Sequence, residues 1–237
     1  MVPNRTKLLE LQAALRIALD WRSGEEGAWD SLMHQVVRDP DLFLDLVDEC
    51  ILYATHVDQL VELRGILESC GSAWTLGAGS GGSLELERRV DATAKAAAQG
   101  AAAQGTPAAV HLARAWSGVY SRNPNASDAY REAVRAVEAV AQPVISPANT
   151  GATLGTMLAD LRNKPSKWKT VMNPPAGVDD IGTAIAMIEL LWKSEFDRHG
   201  SATPTTPLHV SLDEAEAALY LAITLVHWFA SGAITTK

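Results

Sequence analysis

Apolar residues recur every three to four positions along most of this chain, and that periodicity constrains it to an α-helical fold. Between Lys7 and Trp21, the leucines, alanines and Ile17 fall largely on one helical stripe. The same pattern predicts further helices over 26–37, 40–53, 57–69, 88–103, 107–119, 128–142, 153–162, 178–196 and 211–230. The sequence therefore predicts an all-α protein.

The predicted helices have recognisable end signals. Asp39 followed by Pro40 is typical of an N-cap with proline at the first helical position. Ser127 is predicted to cap the helix that begins at Asp128, and Ser211 with Glu214 forms a capping-box pattern. These signals fix where the helices start more firmly than the periodicity alone does.

The one β signal lies between the fourth and fifth predicted helices. Two short apolar runs, 73–76 and 84–86, flank the glycine-rich stretch 77–82, which predicts a small β-hairpin over 73–87 or a flexible loop. An alanine-rich helix follows, and a domain boundary is expected near 100–106. The chain is thus divided into a helical N-terminal domain, 1–105, to which the sequence assigns no role, and a helical bundle, 106–237.

Charge is concentrated in the first part of the chain. Residues 1–100 contain 9 basic and 16 acidic side chains, whereas residues 101–237 contain 11 and 12. This acidic balance excludes a strongly basic DNA-binding footprint. A local basic patch, consisting of Arg162, Lys164, Lys167 and Lys169, either steers an anion or is a solvated loop.

Cysteine and histidine spacing indicates neither a disulfide framework nor a metal site. The two cysteines, Cys50 and Cys70, are isolated, and no histidine pair has the spacing of zinc ligands. We therefore expect no metal and no cofactor. The N-terminus lacks a signal-peptide pattern, and the apolar stretch 219–234 falls short of the about 20 residues that a membrane helix needs. These features predict a cytoplasmic protein that does not enter a membrane.

The strongest chemical signal is the tetrapeptide Asp197-Arg198-His199-Gly200, at the end of a long predicted helix. An imidazole that titrates near neutrality can move a proton, and a neighbouring guanidinium can hold a phosphate. Together they suit metal-free cleavage of RNA through the ribose 2′-hydroxyl. The alternative is that Arg198, His199 and Gly200 simply form a helix C-terminus, where cations complement the helix dipole.

Two further residues are candidates for contact with a ligand. His209 precedes the last predicted helix and can fold back toward His199, and Trp168 lies within the basic loop. His111 stands alone in the sequence and is interpreted as a surface or packing residue. Glu132 and Glu138 have no sequence partners that indicate paired-carboxylate catalysis.

Short motifs in the second half occur in an order that resembles a known family. They are Ala129–Val134, Thr153-Leu154-Gly155, Trp192–Gly200, Ser211 with Glu214-Ala215, and Leu221–Val226. On these motifs, residues from about 106 to 232 resemble the C-terminal domains of abortive-infection-type proteins. More broadly, they resemble the HEPN (higher eukaryotes and prokaryotes nucleotide-binding) helical bundles.

The resemblance implies a four- or five-helix bundle that often forms a homodimer. In active members it implies metal-independent RNase activity in phage defence or toxin–antitoxin systems, with RNA as substrate and an antitoxin or phage protein as partner. The family's motif is an arginine followed a few residues later by a histidine; here the histidine is His199, the residue at the arginine position is Lys193, and Arg198 adjoins the histidine.

We therefore expect His199 and Arg198 to be catalytic, with four substrate-binding residues: Lys193, Glu138, His209 and Trp168. Lysine is a point charge and lacks the planar fork of arginine, so the replacement at position 193 leaves a second hypothesis open. In that hypothesis, the chain is a non-catalytic dimerisation module that binds a protein partner or a nucleotide.

Overall fold

The computed structural model describes residues 2–54, 56–79, 83–172, 174–175, 177–193 and 209–237. The chain divides into two compact units, Met1–Arg89 and Val90–Lys237. Helices dominate both units, and the strands in the described residues form two short antiparallel pairs. The prediction of an all-α fold with a minor β component is confirmed.

The part of the first unit that the structure describes has four helices and a hairpin: α1 (Arg5–Ala14), α2 (Gly24–Val36), α3 (Pro40–Leu52), α4 (Val57–Ser69), β1 (Trp74–Ala78) and β2 (Leu84–Arg88). Helix α1 ends well before the predicted Trp21, since the backbone at Arg16 turns to a φ of 53°. Buried leucines of α1, α2 and α3 form its main core around Leu8 and Leu32.

The predicted hairpin is present. Strands β1 and β2 pair antiparallel, with Trp74 opposite Arg88 and Ala78 opposite Leu84. The hairpin packs on α3 through Ile51, Leu76 and Leu86, and the Asp48 carboxylate accepts a hydrogen bond of 2.6 Å from the Leu86 amide. A helix side chain thus satisfies a backbone donor of the hairpin.

In its described residues, the second unit has six α-helices and two short strands: α5 (Ala92–Gly100), α6 (Pro107–Tyr120), α7 (Ala126–Ile145), α8 (Leu154–Asn163), β3 (Trp168–Thr170), α9 (Asp180–Lys193), α10 (Leu212–Ala230) and β4 (Ile234–Thr236). Helix α7 packs against α6, α8 and α10. Its small inward residues, such as Ala129, Ala133 and Ala136, are fully buried, which lets the neighbouring helices approach closely.

The division between the units precedes α5, whereas the sequence placed a boundary at 100–106. Ala98, Ala101 and Ala102 pack against the core of the second unit. The alanine-rich segment therefore belongs to a packed helix of the second unit. Alanine richness resembles a linker in sequence, yet it also provides the small surfaces that a close helix contact needs.

Several helix caps match their sequence signals. Asp39 accepts hydrogen bonds from the Asp41 and Leu42 amides, and both halves of the capping box at Ser211 and Glu214 are present. Helix α7 differs, because Asn125 caps it and Ser127 lies inside it. Both residue types are good caps, so the sequence does not decide between two such positions this close together.

Helix α7 also continues past Pro143, where the sequence ended it. A proline inside a helix removes one backbone hydrogen bond. The residues on either side, Ala141 and Ile145, are both buried in the core. Tertiary packing therefore maintains the helix beyond the proline, where local helix propensity alone would end it.

The basic loop between the predicted helices 153–162 and 178–196 contains a strand. β3 pairs antiparallel with β4, with Trp168 opposite Thr236 and Thr170 opposite Ile234. No sequence pattern indicates this pair, because a three-residue strand is too short to show periodicity and its partner lies at the far end of the chain. None of the helices in the described ranges is long and apolar enough to cross a bilayer.

Candidate functional site

The predicted catalytic pair, Arg198 and His199, falls on residues 194–208, outside those that the structure describes. The site is therefore built from the elements that flank this segment. Helix α9 ends at Lys193 before it, and His209 is the first described residue after it. His209 is exposed and precedes Ser211, the N-cap of α10.

Three sequence landmarks meet at the last turn of α9. The Tyr130 hydroxyl of α7 donates a buried hydrogen bond of 2.9 Å to the carbonyl oxygen of Leu191. Gly155 of α8 lies against the Trp192 indole so closely that a Cβ there would sit 2.6–2.8 Å from the ring. Helices α7 and α8 thus both contact the last described turn of α9, and one residue from each of three motifs is brought to it.

Glu138 has a structural partner at the start of α8. Its Oε1 accepts a hydrogen bond of 2.7 Å from the Leu154 amide. A carboxylate at a helix N-terminus satisfies a free backbone donor and complements the positive end of the helix dipole. The structure therefore gives Glu138 a helix-capping contact that ties α7 to α8. Its role toward a substrate stays a prediction.

Lys193 belongs to an ion-pair group between α8 and α9. Both Arg162 and Lys193 pair with the Glu189 carboxylate. Hydrogen bonds from Arg162 first and Lys193 second lower the pKa of Glu189 to about 2. The Arg162 side chain is about half-exposed and that of Lys193 is mostly exposed, so these three described residues together carry one net positive charge.

Trp168, predicted as a ligand contact, is only 2 % exposed and belongs to the core of the second unit. Its indole N–H is buried and has no hydrogen-bond partner in the described part of the chain. The Lys167 ammonium lies 4.8 Å from the centre of its ring. Because the ring is covered, the structure assigns Trp168 to packing.

The sequence missed a charged cluster between α6 and α7. Glu132 of α7 is buried, and its carboxylate lies 2.7 Å from His111 Nδ1, 2.6 Å from Arg135 Nη1 and 3.9 Å from Arg114 Nη1. We call these four residues the α6–α7 cluster. The spacing of three between His111 and Arg114, and between Glu132 and Arg135, places each pair on one helix face, but only tertiary packing opposes the two faces.

The close approach of α6 and α7 makes this cluster. A Cβ at Gly118 of α6 would lie 2.8 Å from the Ala129 Cβ of α7. With no side chain at this position, the two helices pack closely enough for His111 to reach the carboxylate.

Burial and the neighbouring charges together determine the protonation state of the Glu132 carboxyl group. Burial raises the pKa of Glu132, but the hydrogen bonds from His111 and Arg135 outweigh it, and the pKa lies below its ordinary value. The carboxylate is therefore ionised at neutral pH and can only accept hydrogen bonds. Hence the proton on the His111 ring is assigned to Nδ1, which leaves Nε2 as an acceptor in the neutral ring.

A second polar group connects α6 to α10. The buried Tyr120 hydroxyl donates to Glu216 Oε1 at 2.6 Å and lies 3.0 Å from the Tyr220 hydroxyl. Burial, followed by these hydrogen bonds, raises the pKa of Tyr120. The phenol therefore stays protonated, and the group is suited to holding the two helices together.

Among the described residues, no group of three or more His, Cys, Asp or Glu side chains is placed to hold a metal ion. No protein-family model matches the chain, and neither a curated protein nor a solved structure matches it.

Proposed function

We propose that the chain is a metal-independent endoribonuclease of the phage-defence or toxin type, with a HEPN-like second unit. The observation that supports this is the convergence of Tyr130, Gly155 and Trp192 on the last turn of α9. That turn leads directly into the segment that carries Arg198 and His199. Three residues that belong to different motifs of the resemblance are thus neighbours in space.

The proposed chemistry is an internal transfer within RNA. His199 takes the proton of the ribose 2′-hydroxyl, and the 2′-oxygen attacks the adjacent phosphorus. The bond from phosphorus to the 5′-oxygen breaks, and that oxygen takes up a proton, which leaves a cyclic phosphate. Arg198 and Lys193 hold the phosphate, where their charges stabilise the negative charge that develops.

A homodimer would bring two such sets of residues to one groove. It would also supply a second histidine as the acid that protonates the leaving oxygen. An antitoxin or a phage protein would then act by covering or exposing this groove. These partners follow from the family resemblance and belong to the proposal.

The proposal is tested by measuring cleavage of RNA with a chelator present. Replacing His199 with Ala should lower the rate about 100-fold or more, as loss of a general acid–base group does. His227→Ala is the matched control, because this histidine is exposed in the same unit and is outside the proposed site. An unchanged rate in the His199→Ala variant would overturn the proposal.

A second candidate function is a non-catalytic module that binds a protein partner. The observation that favours it is helix α4, which buries none of its residues and exposes Val57 and Val61 four positions apart, on the same side of the helix. A contiguous exposed apolar patch is typical of an interaction surface. Purified protein that leaves RNA intact, with His199→Ala tolerated in cells, would favour this candidate.

A further inference from the structure

We propose that the α6–α7 cluster is a phosphate-binding site, built from residues other than those of the predicted catalytic segment. The cluster consists of one carboxylate, two guanidinium groups and one imidazole: Glu132, Arg114, Arg135 and His111. It would bind the phosphate group of a nucleotide or of an RNA backbone.

The burial of the four side chains is graded. The Glu132 side chain is 4 % exposed, whereas those of His111, Arg114 and Arg135 are 24, 47 and 49 % exposed. The carboxylate thus lies at the base of the cluster, and the cationic groups extend from it toward solvent. A ligand that approaches from solvent meets the cations and not the carboxylate.

The charges of the cluster do not balance. Two guanidinium groups face one ionised carboxylate, so the cluster carries a net positive charge with His111 neutral and a greater one when His111 is protonated. This net positive charge attracts an anion, and a bound phosphate would neutralise it.

The two guanidinium groups have N–H donors that do not contact Glu132. Arg135 places Nη1 on Glu132 Oε1, and Arg114 lies at 3.9 Å from Oε2, which is longer than a hydrogen bond. Each guanidinium carries five N–H donors in a fixed fork that matches the oxygens of a phosphate. Glu132 orients Arg135 through one of its donors, which leaves the others available.

His111 adds an imidazole to the cluster. Its Nδ1 lies 2.7 Å from the Glu132 carboxylate, which orients the ring and leaves Nε2 on the side of the ring away from that carboxylate. This inference goes beyond the proposed function, because it uses none of the residues of the catalytic segment.

Binding is measured with two probes at low ionic strength, inorganic phosphate and a labelled 2′-O-methyl RNA oligomer. The methyl group removes the nucleophile, so cleavage cannot disturb the measurement. We expect Arg114→Ala and Arg135→Ala each to weaken binding about tenfold, the loss of one charge-assisted hydrogen bond. Arg131→Ala is the matched control, because Arg131 lies on α7 with similar exposure and pairs with Asp128.

The Glu132→Gln variant distinguishes between a phosphate-binding role and a purely structural role of the cluster. The amide keeps the volume of the carboxylate and removes its negative charge, so a phosphate site should bind several-fold more tightly. A structural cluster would lose stability with no gain in affinity. If this variant does not fold, Arg114→Ala decides alone, because Arg114 is half-exposed and makes only a distant contact with Glu132.

The two probes identify the source of the phosphate. Weaker binding of both probes in the arginine variants supports a site for a free phosphate group, and weaker binding of RNA alone supports a site for the RNA backbone. Wild-type affinity of Arg114→Ala and Arg135→Ala for both probes would overturn the proposal. Loss of cleavage in His199→Ala with unchanged RNA binding would be consistent with the phosphate site, because binding and cleavage would then depend on different residues.

Discussion

At the scale of single residues, the partners of a side chain decide its role. Glu132 and Glu138 belong to the same helix, but Glu132 receives hydrogen bonds from His111 and Arg135, whereas Glu138 caps the start of α8. A buried carboxylate that gathers cations suits a site, and a carboxylate at a helix N-terminus suits a cap. Two identical residue types on one helix thus have different roles.

Gly155 is a residue whose role is steric. Adding a methyl group by Gly155→Ala should lower the free energy of unfolding by about 1–3 kcal/mol, because the new Cβ overlaps the Trp192 indole and forces α8 away from α9. The measurement is urea unfolding of each variant.

Gly65→Ala provides the control for this change. Gly65 lies inside α4 with nothing within 4 Å of an added Cβ, so this substitution should raise stability by about 0.5–1 kcal/mol. Stabilisation by both alanines would show that α8 and α9 do not make the close contact described.

At the scale of elements, charged side chains connect α8 to α9. Arg162 comes from α8, while Glu189 and Lys193 come from α9, so a single carboxylate bridges the two helices through Arg162. All three side chains keep some exposure, and salt therefore weakens the attraction. The end of α9 is thus held both by packing at Trp192 and by charge at Glu189.

This ion-pair group predicts a loss of stability in acid. The pKa of Glu189 is lowered in the folded protein to about 2, from 4.5. A lowered carboxyl pKa contributes stability that is present above about pH 4.5 and is lost as the pH falls through about 2. We therefore expect the wild type to be more stable than Glu189→Gln at neutral pH.

The measurement is the thermal midpoint of both proteins between pH 7 and pH 2, at low ionic strength. The difference between them should narrow progressively below about pH 4.5. Asp213→Asn is the control, since Asp213 is exposed in the first turn of α10 and lies outside this group. A difference that stays constant over the whole range would contradict the prediction.

At the scale of the whole molecule, the chain consists of two units with separate cores. Leu32 belongs to a core formed by α1, α2 and α3, whereas Leu219 belongs to the core of the second unit. Each side chain is fully buried in its own unit. Separate cores allow each unit to have a stability of its own.

We expect Leu32→Ala and Leu219→Ala each to destabilise its own unit by about 2–5 kcal/mol, the cost of a cavity in a packed core. Hydrogen exchange resolved along the chain is the measurement. Loss of amide protection should be concentrated in residues 2–89 for Leu32→Ala and in residues 90–237 for Leu219→Ala. Equal loss in both ranges for either variant would show that the units unfold together.

Local sequence patterns are enough to predict the helical fold, the position of the hairpin, and the caps at Asp39 and Ser211. These features depend on residues close together in the chain, where periodicity and single side chains act on their own backbone. The sequence also singled out Tyr130, Gly155 and Trp192, although only as parts of a motif.

Tertiary structure alone decided which distant residues meet. It opposed His111 to Glu132, placed Gly155 against Trp192, paired β3 with β4 and buried Trp168 in the core. It also maintained the helical conformation of α7 beyond Pro143. The physical reason is common to all of these features: each depends on the packing of elements that are far apart in the chain, and no local pattern records that packing.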